Sequence, residues 1–187
     1  MAVFARLLEL VLGPRGLDLG CGPSAHDMVN LTSAGYDVEG LDAIEENIAV
    51  AKRNRPELAA KLIVHDLREA LPFADAFFDF AYCDSVIQHL APSDVSEMIL
   101  PEAVRILKPG GVLQLVFKCG NGVVTVHDPT YDEDRNFQLY DPDQILHRLQ
   151  EVGMTLVEGD DTAVLGGVLR CADFRQISYC VMWTRKA

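Results

Sequence analysis

Residues 15–25 read Arg15-Gly16-Leu17-Asp18-Leu19-Gly20-Cys21-Gly22-Pro23-Ser24-Ala25. Gly16–Leu19 has the length and apolar content of a short buried strand, and Gly20-Cys21-Gly22-Pro23 breaks it at once. A helical stretch from about Ala25 to Ala34 follows and stops at Gly35. Glycines in a strand-to-helix turn let the backbone approach a ligand closely. The free N–H groups at the start of the helix favour a carboxylate or phosphate. The string also fits a loose G-x-G-x-x-A dinucleotide pattern, which is weak on its own. The plain alternative is an ordinary strand-to-helix turn.

Working outward, Val3, Phe4, Leu7, Leu8, Val11 and Leu12 fall at helical spacing, and Gly13-Pro14 ends that run. Downstream, strands are expected at Tyr36–Leu41, Lys61–His65, Phe78–Tyr82 and Val112–Phe117. Helices are expected at Glu45–Arg55, Asp94–Leu107 and Pro142–Val152, with Pro101 bending or interrupting the second. Lys108-Pro109-Gly110-Gly111 reads as a sharp turn. Two last strands, Met154–Glu158 and Gln176–Thr184, have no helix between them and could pair antiparallel; Gly159–Arg175 is too irregular to assign. Repeated βα order implies an α/β fold, a parallel sheet with helices on both faces. No repeat, low-complexity tract or linker divides the 187 residues, so residues 1–187 read as a single domain.

Composition narrows the function classes. Net charge is −12, from 28 carboxylates against 16 Lys and Arg, so the average field repels a polyanion and disfavours a nucleic-acid partner. No apolar run approaches the roughly 18 residues of a membrane span. Arg6 and Glu9 break the apolar Val3–Leu12 stretch and no small-residue cleavage site follows it, which argues against a signal peptide. The five cysteines, Cys21, Cys83, Cys119, Cys171 and Cys180, are odd in number and widely spaced. They suggest reduced thiols in a cytoplasmic protein, and no metal is assigned.

In an open α/β sheet, ligands bind beyond the carboxyl ends of the strands. Asp42, twenty positions past Gly22, ends the second strand and could accept hydrogen bonds from both hydroxyls of a ribose. It could equally cap the helix after it, and one carboxylate has too few lone pairs to do both fully. His65-Asp66-Leu67 follows the third strand. Asp66 could accept from an adenine amino group while Leu67 covers the ring; alone, it would read as a solvated loop acid. Cys83-Asp84-Ser85-Val86-Ile87-Gln88-His89-Leu90 follows the fourth. Such a polar cluster at a strand end often marks chemistry, although His89 is also compatible with a helix surface.

Taken together these segments resemble a class I S-adenosylmethionine (SAM)-dependent methyltransferase, with a core similar to the ubiquinone and menaquinone methyltransferases. The resemblance rests on Leu17-Asp18-Leu19-Gly20-Cys21-Gly22-Pro23, Gly40-Leu41-Asp42, Asp66 before Leu71-Pro72-Phe73, Phe78-Asp79-Phe80 and Leu107-Lys108-Pro109-Gly110-Gly111. It implies a Rossmann-like three-layer α/β/α sandwich, its seven-stranded sheet mostly parallel and its last strand antiparallel. It implies that Asp18, Gly20, Cys21 and Gly22 shape the pocket for the methionine part of SAM. Asp42 and Ala43 would hold the ribose, Asp66 and Leu67 the adenine, and Cys83 and Asp84 would lie beside the amine and methyl group. Pro109-Gly110-Gly111 would be a structural turn.

A dehydrogenase fits less well, because Asp18 stands where a nicotinamide fold usually has an apolar residue. Methyl transfer to an O, N or C atom of a small molecule is the expected reaction, with S-adenosylhomocysteine (SAH) as product. His89 and Asp84 are the candidate general bases, and His89 is preferred because its reference pKa lies near operating pH. The alternatives are a non-catalytic SAM- or SAH-binding partner subunit, and a methyltransferase acting on tRNA or protein. Lys118–Asp141 is the one extended insertion. Tyr131, Phe137 and Tyr140 could line a small lid there, although anchoring a surface loop is the simpler role. An open face could otherwise be closed by a second copy of the chain or by a partner subunit.

Overall fold

The computed structural model describes residues 2–128, 132–157, 168–172 and 177–187. Among these described residues, ten strands and six α-helices follow in chain order: α1 (Ala2–Leu10), β1 (Arg15–Leu19), α2 (His26–Ser33), β2 (Asp37–Asp42), α3 (Glu45–Asn54), β3 (Leu62–Val64), β4 (Phe78–Asp84), α4 (Pro92–Asp94), α5 (Leu100–Arg105), β5 (Leu107–Lys118), β6 (Val123–Asp128), β7 (Glu133–Gln138), α6 (Pro142–Glu151), β8 (Met154–Leu156), β9 (Val168–Ala172) and β10 (Ser178–Lys186). The main sheet runs β3-β2-β1-β4-β5-β10-β8, with β9 also paired to β10. β1 through β5 are mutually parallel. β10 is antiparallel to β5, β8 and β9.

This is the three-layer sandwich expected, with the reversed strand where the family resemblance put it. Side-chain alternation along each strand sends apolar groups to both faces. On one face Leu17, Leu19, Ala81, Cys83, Leu113, Leu115 and Phe117 pack under α5 and α6. On the other, Phe80, Tyr82, Val112, Val181 and Trp183 meet Leu7, Met28, Leu31 and Ile48 of α1, α2 and α3.

Two motif residues prove to be a brace. Asp79, central in Phe78-Asp79-Phe80, accepts from the Arg15 amide at 3.0 Å and pairs with the Lys108 ammonium at 2.7 Å. The Lys108–Gly111 turn is thus tied to the start of β4, as the irregular opening of β5, with Gly110 at φ +79°. Arg105 pins the Leu71–Phe73 loop through the carbonyls of Leu71 and Phe73 (3.0 and 2.8 Å), and itself pairs with Glu102 at 2.7 Å.

Three features refine the sequence reading. The helix is interrupted next to Pro101, one of the two outcomes expected of that proline. A π-helical turn, Val95–Ile99, precedes it, and the Leu100 amide reaches back five residues to the Val95 carbonyl, which absorbs the missing donor. The Lys118–Asp141 insertion, read only as an extended segment, forms a β6–β7 hairpin with Val124 opposite Phe137. Third, Val168–Ala172, within the stretch left unassigned, is strand β9. The rest of 158–176, with Glu158 and Gln176 of the expected strands, lies outside the described residues. So does Tyr131.

Candidate cofactor site

The carboxyl ends of β1, β2, β3 and β4 open onto one cavity of about 510 Å³, within the range of small-molecule sites. Gly20, Asp42, Ala43, Asp66, Leu67, Asp84 and His89 all border it, so loops far apart in sequence converge as expected. The amides of Gly20 and Cys21 both donate to the Leu41 carbonyl, at 2.9 and 2.8 Å. That ties the first loop to the end of β2. Gly20 has φ +107°, and a Cβ there would lie 2.3 Å from Val86 Cγ2. The position requires glycine for backbone conformation and for space alike.

Asp42 does not cap α3, whose N-cap position is Ile44; it ties the first loop to the turn after β2 instead. Its Oδ2 accepts from the Gly22 amide at 3.0 Å, while Oδ1 accepts from the Ile44 amide at 2.9 Å and Asn47 Nδ2 at 3.0 Å. Three bonds on one carboxylate leave about one acceptor site for a diol. Asp66 is clamped by Arg68: Oδ1 accepts from its amide and Nε at 2.9 and 3.0 Å, and Oδ2 from Nη2 at 2.5 Å. This pairing holds the carboxyl low, at about 2.

Not every expected residue reaches the cavity. Asp18 is buried beneath the loop, beside Tyr82, and its burial pushes its carboxyl well above the usual carboxylate range. Cys21 and Cys83 are buried in the two core layers, and burial raises both thiols. Both remain protonated and neither borders the cavity. Gly22, at φ +61°, faces open space.

A second cavity of about 330 Å³ lies beyond the ends of β4, β5 and β10, under Val3 and Phe4 of α1. Asp84 and Ser85 border both cavities. Ser85 has φ +64°, a conformation that costs a non-glycine residue roughly 1 kcal/mol and often accompanies function. Asp84 is half-buried, but its Oδ1 is shielded from solvent and has no partner, and its Oδ2 accepts from Gln114 Nε2 at 2.8 Å. Burial, reinforced by Asp27, lifts the carboxyl to about 8 against the pull of Gln114.

His89 is different. It is exposed and borders only the first cavity, tilted against Phe137 with ring centroids 5.5 Å apart. Partial burial, with Arg135 and Lys118 nearby, lowers its pKa. Phe137 and Tyr140 anchor the hairpin: Phe137 is buried against His89, and the Tyr140 hydroxyl donates to the Leu90 carbonyl at 2.8 Å. The hairpin also brings Arg135 to the cavity rim. Sequence reading missed Arg135, although Val123-Val124-Thr125-Val126 carried enough β-branched character to suggest a strand there.

The comparisons with known proteins agree with this geometry. The family described as "Methyltransferase domain" matches residues 17–115, from within β1 into β5. An uncharacterised methyltransferase of Synechocystis is 35% identical over 109 residues, covering 58% of this chain and 49% of its own. The 2-methyl-6-phytyl-1,4-hydroquinone methyltransferase of Synechocystis is 30% identical over 114 residues, or 60% of this chain and 35% of its own. The matches thus span about half, or less, of those relatives' lengths. In fold, a SAM-dependent methyltransferase of Methanosarcina mazei superposes with a TM-score of 0.71 at 22% identity, covering 96% of each chain. The 1,6-didemethyltoxoflavin-N1-methyltransferase of Burkholderia thailandensis, solved with its acceptor and SAH, superposes at 0.68 and 18% identity, covering 99% of this chain and 75% of that one. With more than half of its length matched by that family and a fold shared with those neighbours, the chain belongs to the methyltransferase-domain family.

Proposed function

We propose that this protein binds SAM in the first cavity and methylates an O, N or C atom of a small-molecule acceptor seated in the second. The observation that carries this reading is the shared wall: Asp84 and the strained Ser85 border both spaces. The hydroquinone and toxoflavin enzymes named above support a small ring-shaped acceptor, as does Phe4 at the edge of the second cavity. Bound SAM supplies an activated methyl on a sulfonium.

The chain's own residues do the rest. The Gly20 loop gives close backbone approach, Asp42 offers its remaining lone pair to a ribose hydroxyl, and Leu67 and Ile44 cover a flat ring. Positioning of this kind supplies much of the rate. Of the two candidate bases, Asp84 faces the acceptor side and His89 does not, so the proton of a hydroxyl or N–H acceptor goes to Asp84. Among the described residues no helix is long and apolar enough to cross a membrane.

Calorimetric titration with SAM, SAH and NADH is the direct test. Micromolar SAM and SAH binding is expected, with none for NADH. Asp42→Ala should weaken SAM at least about thirtyfold, because it removes a ribose acceptor and three loop bonds together. Absence of SAM and SAH binding would remove this reading. Once an acceptor is found by screening hydroxy- and amino-substituted aromatics, turnover should fall by about 100-fold in Asp84→Asn. His89→Ala should stay within about threefold of wild type. The reverse ranking would return the base to His89.

A further inference from the structure

One line of polar side chains crosses the middle of an otherwise apolar sheet. Asp18 of β1 lies opposite Tyr82 of β4, Tyr82 opposite Gln114 of β5, and Gln114 opposite Trp183 of β10. All four side chains are buried, all but Asp18 completely. A buried amide among aromatic rings is costly unless its groups are bonded. Here each is used: Trp183 Nε1 donates to Gln114 Oε1 at 2.9 Å, and Gln114 Nε2 donates to Asp84 Oδ2 at 2.8 Å. The amide therefore has one orientation, set by the indole, and it aims a donor at one carboxyl oxygen. The other oxygen, Oδ1, is shielded from solvent and unpartnered, beside both cavities. A second unpartnered atom, Oε1 of the buried Gln88, also borders the second cavity.

Among the described residues, charged and titratable groups surround Asp84, with His26 beside Asp27. Asp18 and Tyr82 stand behind it in the sheet, Cys83 adjoins it in β4, and Asp27 faces it from α2. His89 and Arg135 line the first cavity and Lys118 the second. With Asp18 and Asp84 both desolvated, and the half-buried Asp27 near them beside His26, ionising the carboxyls together is unfavourable until a further cation arrives.

Resting on the reading that the first cavity takes SAM, we propose that Asp84 carries a proton in the cofactor-free protein, aimed by the Trp183–Gln114 pair, and that the positively charged cofactor expels it. The Asp84 O–H bond breaks, the proton leaves to solvent, and a carboxylate remains at the wall of the second cavity. The base is thereby created by cofactor binding. Gln114 and Trp183 are positioning residues that act through Asp84. The upward displacement of the Asp84 carboxyl, to about 8, accords with this geometry.

The test is calorimetry of SAM binding to the intact chain, in buffers of different ionisation enthalpy, from pH 6 to 9. Wild type should release close to one proton per SAM at pH 7. Its affinity should rise by up to about tenfold per pH unit and level off above pH 8. Asp84→Asn should bind SAM with release near zero and a flat profile. Gln114→Leu, a second variant that keeps the acid, should move the plateau to higher pH, because its donor stabilises the carboxylate. Trp183→Phe should move it the same way by less. SAM binding with no proton release in wild type, or an unshifted profile in Gln114→Leu, would overturn the proposal and leave the cofactor assignment standing. Failure of SAM to bind at any pH would instead remove the assignment on which it rests.

Discussion

Gly20→Ala is expected to destabilise the fold by roughly 3 kcal/mol and to weaken SAM by more than about 100-fold. Two costs add. An alanine at φ +107° leaves the allowed regions of an L-residue, and its Cβ would meet Val86 Cγ2 at 2.3 Å, Cγ1 at 3.1 Å and Cβ at 3.3 Å. A β-branched side chain crowded at all three carbons cannot turn aside by rotating. Val86 must move bodily, and it lines the first cavity. Gly22→Ala is the matched control for stability. It sits at φ +61° with nothing within 4 Å of the added methyl, so it should cost only about 1 kcal/mol. Denaturant unfolding and SAM titration of the two variants side by side would show the difference. Equal losses at both sites would mean that the Gly20–Val86 approach does not shape the cavity.

Asp84→Asn should stabilise the cofactor-free protein at neutral and alkaline pH. The sign follows from the direction of the shift. In the folded chain the Asp84 carboxyl titrates near 8, above its ordinary value of 3.8. Between those values the folded protein keeps a proton that the unfolded chain has lost, so stability falls as pH rises through that window. Asparagine does not titrate, and its amide oxygen can still accept from Gln114. The advantage of the variant should thus be near zero at pH 4 and reach about 2 kcal/mol by pH 8, once solvent screening of a half-buried group is allowed for. Urea unfolding at several pH values measures it. A constant gap, or a variant less stable at pH 8, would show that the carboxyl is not held neutral. Saturating SAM should erase the advantage, since the cofactor favours the ionised form.

Local signals made most of the fold legible. Strand one, its glycine turn and the helix after it occupy residues 15–33 and needed no distant partner to be read. The reversed direction of β10 followed both from the missing helix before it and from the family resemblance. Asp42, Asp66 and Leu67 could be placed because strand ends in this topology gather at one edge. What escaped was long-range or hidden in ordinary composition. Gln114 and Trp183 sit in strands that read as plain core, and their bond spans 69 positions of chain. Arg135 belongs to a hairpin whose polar strand, Glu133–Gln138, gives no apolar alternation. Cys21 and Cys83 adjoin the site in sequence, yet strand alternation and the tight turn direct their thiols into the core. The preference for His89 over Asp84 rested on reference pKa values, and our proposal reverses it because Asp84 borders both cavities.

The late position of β10 governs how the molecule must assemble. Arg185 reaches the Leu10 carbonyl, 175 positions earlier, at 2.8 Å, and Lys186 binds the carbonyls of Val104 and Leu107 at 2.8 and 2.7 Å. Contacts that join such distant segments carry a large loop-closure entropy and form slowly. Until β10 inserts, the long edge of β5 stands unpaired, a template for the wrong strand. The indole that orients Gln114 arrives with that same strand. Closing the sheet and turning the Gln114 amide toward Asp84 are therefore one event in folding.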